Sequence, residues 1–202
     1  MSRVLYLASS SFVRQKLLQE ALIPFNAVGH TADEEDVDKA LPFKELMAVI
    51  ARKKMDHAVL PQGHEEQEIF VLAVDSLVCD SQGMIQGKPK SREDAIIKIK
   101  KYNEPSIAGT AFCLDKKIWK AECWHTIGRV EQVVQARYKF SVPDHWIERY
   151  LDYSLAMSAA GAAAGELYGA QFLEWIDGSY SGIVGLPMFE LRQALEHLGF
   201  FD

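Results

Sequence analysis

Cysteine is scarce in this chain of 202 residues: Cys79, Cys113 and Cys123 make an odd count with no Cys-x-x-Cys spacing. That pattern argues against a disulfide framework and against a thiolate zinc site. Buried free thiols are expected instead, with Cys113 and Cys123 flanking an expected hairpin. The six histidines lack His-Glu-x-x-His or related spacing, which removes the common zinc hydrolases. The glycine-rich stretch Gly161–Gly169 has no Gly-Lys-Ser/Thr ending, so a P-loop ATPase is excluded. The longest small-apolar run, Leu155 to Gly165, is too short to span a bilayer. No charged segment followed by an apolar stretch opens the chain, so no secretory leader is expected and the default location is cytoplasmic. Positive charge is also in deficit: 22 Lys and Arg face 28 Asp and Glu, a net charge of -6. That balance disfavours nucleic acid and membrane as partners, since both need a basic surface. A small anionic ligand stays open, because a local cluster can be basic on an acidic protein.

What is present is ordinary globular composition, 49% hydrophobic and 25% charged, with enough length for a substantial core. No linker or repeat stands out, so one compact unit is expected. The patterning is mixed α and β. Strand-like runs cover Val4–Ala8, Phe25–Val28, Ile69–Val78, Ile107–Leu114, Ile118–Trp124, Ile127–Phe140 and Phe172–Ile176. Helical runs cover Phe12–Ala21, Pro42–Leu60, Arg92–Tyr102, Pro143–Tyr153 and Pro187–His197, with proline at helix starts. Asp115-Lys116-Lys117 reads as the turn between two strands.

A few residues break these patterns. Ser9-Ser10-Ser11 ends an apolar strand and leads into a helix with Arg14 in its first turn. Serine suits the N-cap, but a cation there opposes the helix dipole unless an anion sits at the helix start. A phosphate cradle and a capped helix with an exposed arginine both fit. Asp75 interrupts a near-continuous apolar run, a costly place for a carboxylate unless it is paired. It can hold a divalent cation or act as general base on water, or it can simply cap the strand end. Lys54 recurs at four-residue spacing with Leu46, Ile50 and Ala58, so it lies on the apolar stripe of its helix while Arg52 and Lys53 point away. It either snorkels to solvent or reaches an anionic ligand. Lys88, held extended by Pro89, projects from a loop. Glu34 lies in an acidic stretch, Asp33 to Asp38, that is either a solvated loop or a source of Mg²⁺ ligands. The dense glycines from Gly161 to Gly169 allow backbone to approach a ligand or another segment, and would place Glu166 where a base or ribose is read.

Taken in order, the Leu-Ala-Ser-Ser-Ser-x-x-Arg segment, Glu34, Lys54 in Ala-Arg-Lys-Lys, Val-Asp75-Ser, Gly-Lys88-Pro and Gly-Ser-Tyr…Val-Gly-Leu-Pro resemble the Maf family over essentially the whole chain. The resemblance implies an α/β fold shared with inosine-triphosphate pyrophosphatases: an elongated, twisted mixed sheet flanked by helices, with one active-site cleft between two lobes of a single domain, 1–202. It implies a nucleoside triphosphate pyrophosphatase that yields NMP and pyrophosphate with a divalent metal, Mg²⁺ or Mn²⁺. Carried over by position, Ser9, Arg14, Lys54 and Lys88 would bind the triphosphate. Glu34 and Asp75 would hold the metal, and Asp75 would also be the general base. Electrostatic stabilisation of departing pyrophosphate is what such a cleavage needs most.

The sequence departs from the family in informative places. The usual Ser-Pro-Arg-Arg is Ser11-Phe12-Val13-Arg14, so the first arginine is lost. The branch acting on 7-methyl-GTP also replaces that arginine. That branch carries Ser-Glu-Gly where dTTP/UTP-type members carry Ile-Gln-Gly, and Gly165-Glu166-Leu167 here keeps the glutamate. A carboxylate can accept hydrogen bonds from guanine N1 and N2, so Glu166 is expected to read a methylated guanine. The Leu-Ser-Gly before the central hairpin is Tyr102-Asn103-Glu104. A competing reading is a nucleotide binder with weak turnover, linked to cell-division control through the family's association with septum formation. A homodimer is compatible with the hydrophobic content and with the habit of the family.

Overall fold

In a computed structural model the structure describes residues 3–101 and 104–202. The elements run β1 (Leu5–Ala8), α1 (Phe12–Glu20), β2 (Phe25–Val28), α2 (Phe43–Asp56), β3 (Glu68–Cys79), β4 (Ile85–Gln86) and α3 (Arg92–Lys101). They continue with β5 (Ser106–Lys120), β6 (Cys123–Phe140), α4 (Ile147–Tyr153), β7 (Leu173–Asp177), α5 (Tyr180–Ile183) and α6 (Met188–His197). Seven strands form one mixed sheet in the order β2-β1-β3-β5-β6-β7, with β4 added beside β3. β1 pairs in parallel with both β2 and β3, as strands joined through helices do. β3–β4 and β6–β7 are antiparallel. The α/β class therefore stands.

The chain divides into two compact units. The first comprises Met1–Asp75, Ala111–Val133 and Gly185–Asp202. The period-two alternation of its strands explains its two cores. Leu5, Leu7, Phe70, Leu72 and Val74 point to one face, where Leu18 of α1 and Leu191 and Leu195 of α6 cover them. Ala8, Ile69, Val71 and Ala73 point to the other, which Met55 of α2 covers. Burial on both faces is why β3 reads as an almost unbroken apolar run. Each fully buried leucine among them contributes about 1.5–3 kcal/mol.

The second unit comprises Ser76–Thr110 and Val134–Val184. Its core gathers Tyr138 and Phe140 of β6, Ile99 of α3, Ile147 and Tyr150 of α4, and Phe172. Phe140, Tyr150 and Phe172 meet edge to face, with centroids 5.3 to 6.3 Å apart, the geometry aromatic quadrupoles favour.

Several expectations are corrected. Asp115-Lys116-Lys117 is not a turn: β5 continues to Lys120, and the hairpin turns at Ala121 and Glu122, both with positive φ. The reason is cross-strand pairing. Asp115 is fully buried and accepts from Arg129 Nε at 2.7 Å, Arg129 Nη2 at 2.8 Å and Thr126 Oγ1 at 3.1 Å, while Lys117 Nζ lies 2.7 Å away. Helix α2 stops at Asp56 rather than Leu60, because the next residues find backbone partners elsewhere: Thr31 N–H donates to His57 C=O and Val59 N–H to Gly29 C=O. Cys79 and Cys113 are buried free thiols as expected, but Cys123 is exposed. The expected end of the third helix at Tyr102, and the departure at Tyr102-Asn103, lie outside the described residues. Among the described residues no helix is long and apolar enough to cross a membrane.

Candidate functional site

The first unit brings Ser9, Arg14, Glu34, Lys54 and Asp75 together. Lys54 leaves the buried stripe of α2 and does not snorkel: its ammonium lies 2.7 Å from Asp75 Oδ1 and 3.1 Å from Glu34 Oε1. Its side chain is 9% exposed, that of Asp75 8% and that of Glu34 44%. The cluster is thus a buried ion pair, Lys54 with Asp75, plus one carboxylate, Glu34, at the surface. Asp75 Oδ2 is buried with no hydrogen-bond partner among the described residues. Left unpartnered, a buried carboxylate oxygen of this kind costs about 1–3 kcal/mol or more, which a water, an ion or a ligand would offset.

Ser11 caps α1, its hydroxyl accepting from Arg14 N–H at 3.5 Å. The Arg14 guanidinium, instead of pointing to solvent, folds back onto acceptors: Ser9 Oγ at 3.0 Å, Val74 C=O at 3.1 Å and Gly185 C=O at 3.0 Å. Burial lowers its pKa, opposed by the charges of Asp75 and Glu34, so the arginine shares their field. Ser9 Oγ accepts from Arg14 and from Ser11 N–H at 3.2 Å. Both are accepted bonds, which leaves the hydroxyl proton able to donate to an anion. His30, which sequence reasoning passed over, belongs to the same electrostatic cluster. Burial and then the Lys54 charge hold its pKa below the ordinary value. Nothing in its sequence neighbourhood signals this, since it reaches the cluster through an isolated bridge with Ala58.

The acidic stretch sorts itself by partner. Asp33 and Asp38 accept from nearby backbone at Glu35 and Ala40, Asp36 pairs with Lys53 at 3.0 Å, and Glu34 alone joins Lys54. Helix α2 is clamped from its other face, where Arg52 bonds both Glu131 oxygens at 2.8 and 2.6 Å and Asp56 takes Arg129 at 2.9 Å. Positions 52 and 56 share a face opposite position 54, so this clamp sets the rotation that turns Lys54 inward.

Asp75 and Glu34 meet one cation, and one Asp75 oxygen is left over. That donor set suits Mg²⁺ or Mn²⁺, which use one or two carboxylates with substrate phosphates in place of an all-protein cage. No cluster of three or more His, Cys, Asp or Glu that could hold a metal occurs among the described residues.

The second unit holds the other two expected residues. Lys88 is exposed and carries no ion pair among the described residues, while its neighbour Pro89 is buried and anchors the turn. Glu166 is half-buried, and burial raises its pKa. The glycine-rich segment is a chain of 3-10 turns, not a packing helix. Gly169 serves close approach within the segment itself: a side chain there would meet Ala164 C=O at 1.7 Å.

A family model described as Maf-like protein matches residues 4–198. A dTTP/UTP pyrophosphatase of Geobacter sp. is 32% identical over 196 residues, covering 96% of this chain and 94% of the relative. One of the same name from Caldicellulosiruptor bescii is 29% identical, covering 97% and 95%. A nucleoside triphosphate pyrophosphatase of Prochlorococcus marinus is 30% identical, covering 97% of each. Such enzymes are hydrolases acting on acid anhydrides. With its motifs in order and the family model spanning nearly its whole length, this chain belongs to the Maf-like proteins.

Proposed function

We propose that this chain is a metal-dependent nucleoside triphosphate pyrophosphatase that cleaves modified nucleotides, 7-methyl-GTP foremost, to NMP and pyrophosphate. The observation that carries the reading is Asp75: one oxygen held 2.7 Å from Lys54, the other buried and unpartnered. A carboxylate oxygen free of other bonds supports a general-base role toward water. In this mechanism water oxygen bonds to the α-phosphorus, its proton passes to the Asp75 carboxylate, and the α–β bridging bond breaks to release pyrophosphate. Arg14, Lys54, the Ser9 hydroxyl and Lys88 bind phosphate oxygens, offsetting the charge that collects on the leaving group. Mg²⁺ or Mn²⁺ held by Asp75 and Glu34 would supply further charge neutralisation. A cytoplasmic setting, where nucleotides are held, is part of the same reading.

For the base, Glu166 supports guanine: its carboxylate has no hydrogen-bonding side chain among the described residues and can accept from N1 and N2. The names of the relatives favour a second reading, dTTP and UTP. A panel of 7-methyl-GTP, GTP, dTTP, UTP and CTP, assayed for pyrophosphate release with Glu166→Gln alongside, separates the two. Guanine nucleotides leading in the wild type and falling in Glu166→Gln support the first. A ranking led by dTTP and UTP and unmoved by the substitution supports the second.

A further inference from the structure

Around Glu166 the backbone is under unusual constraint. Gly161, Ala162 and Leu167 have φ of 64°, 60° and 51°, and two of these are residues with a side chain, for which the left-handed region is unfavourable. A loop held in such a shape needs partners that over-determine it. The main one is Tyr150 of α4. Its hydroxyl, fully buried, donates to Ala162 C=O at 2.7 Å and accepts from Ala164 N–H at 2.8 Å. Ala162 and Ala164 are themselves fully buried, so neither backbone group has solvent as an alternative. The ring is locked by Phe140 and Phe172, with centroids 5.6 and 5.3 Å away. The aromatic packing is thus separable from the hydroxyl.

Two further bonds complete the frame. Gly161 N–H donates to Gly87 C=O at 3.0 Å, tying the loop to the turn that carries Lys88. Tyr180 OH donates to Gly165 C=O at 3.3 Å, immediately before Glu166. The bond at Gly87 does not pass through Tyr150. Any change in grip on phosphates through Lys88 is common to all nucleotides and cancels in a ratio between bases.

We propose that Tyr150 is a positioning residue for base selectivity: its buried hydroxyl, bridging Ala162 C=O and Ala164 N–H, fixes the loop that presents Glu166 to the nucleobase. Tyr150 touches no substrate; it acts through the loop. The proposal rests on Glu166 reading the base, as in the proposed function.

The test is Tyr150→Phe, which keeps the ring and removes the hydroxyl. The readout is kcat/KM for 7-methyl-GTP divided by kcat/KM for dTTP, measured on the full chain with Mg²⁺ beside wild type and Glu166→Gln. Loss of two buried hydrogen bonds should lower that ratio about ten-fold or more, with kcat on dTTP retained. A merely structural tyrosine would lower Tm, or lower both substrates equally, and leave the ratio unchanged; that result overturns the proposal. If Tyr150→Phe does not fold unaided, the same ratio is measured in a stabilising osmolyte such as trimethylamine N-oxide, with wild type in the same buffer and an unchanged ratio again overturning the proposal. A ratio unmoved by Glu166→Gln refutes the base reading itself. A ratio moved by Glu166→Gln but not by Tyr150→Phe refutes only the role of the tyrosine.

Discussion

Replacing Lys54 by Met keeps the unbranched apolar stem on the stripe of α2 and removes the terminal ammonium with its charge. Asp75 is then left 6% exposed with neither oxygen partnered. Glu34, 44% exposed at its side chain, regains water at little cost. Breaking a buried ion pair by removing one partner costs about 3–5 kcal/mol. Because only the Asp75 side of this triad is deeply buried, the lower end applies, about 3 kcal/mol. Asp75→Asn combined with Lys54→Met removes both charges, so the double variant should recover part of the loss. A coupling of about 2 kcal/mol between the two positions is expected, within the range for groups in direct contact. Urea unfolding of the wild type, the two single variants and the double variant, with linear extrapolation, measures all four corners of the cycle. Additivity to within about 0.5 kcal/mol would refute the coupling and with it the claim that Lys54 neutralises Asp75.

Two other predictions concern the frame around this chemistry. Leu167 sits at φ 51°, and Gly at this position relieves strain of about 1 kcal/mol. Glycine also adds about 0.5–1 kcal/mol of unfolded-chain entropy, so Leu167→Gly should leave Tm within about 2 °C of wild type, and a larger fall in calorimetry would show that the leucine side chain, not its backbone, governs this position. Burial alone would raise the pKa of Asp115, but hydrogen bonds from Arg129 and Lys117 hold it below the ordinary carboxylate value. A depressed folded pKa means stability that is complete above that ordinary value and lost as pH falls through the folded one. Asp115→Asn should flatten the acid limb of the stability profile, measured by urea midpoints between pH 2 and 6 (about the range in which carboxylates titrate); an unchanged acid limb would contradict the ion-pair account.

How legible each part was depends on the distance over which its cause acts. Lys54 was legible because helical spacing puts it on the stripe with Leu46 and Ile50, both buried in the fold. Asp75 was legible because an apolar run interrupted by a carboxylate needs a reason, and its lysine and unpartnered oxygen supply one. Asp115-Lys116-Lys117 misled for the opposite cause. Three charges in a row look solvated until Arg129, 14 residues further on, is brought across the hairpin. The overlong α2 has the same origin, since its end is decided by carbonyls and amides at Gly29 to His57, not by helix propensity. Arg14 stands out in the sequence as a cation in the first turn of a helix, but its acceptors are mostly backbone carbonyls, at Val74 and Gly185, which no residue pattern announces. Tyr150 left no signal at all, because one buried hydroxyl bonding to two alanines has no sequence signature. Glycine density at Gly161–Gly169 said that something comes close without saying that Gly87 is the partner.

The most direct test is to identify the products formed from a nucleoside triphosphate by the wild type and by Asp75→Asn, using ³¹P NMR or ion-exchange chromatography. The account predicts NMP and pyrophosphate in equal amounts from the wild type, with the rate reduced by about 10²–10⁴-fold in the variant while its circular dichroism stays native. Release of NDP and inorganic phosphate, or an undiminished rate in Asp75→Asn, would contradict it.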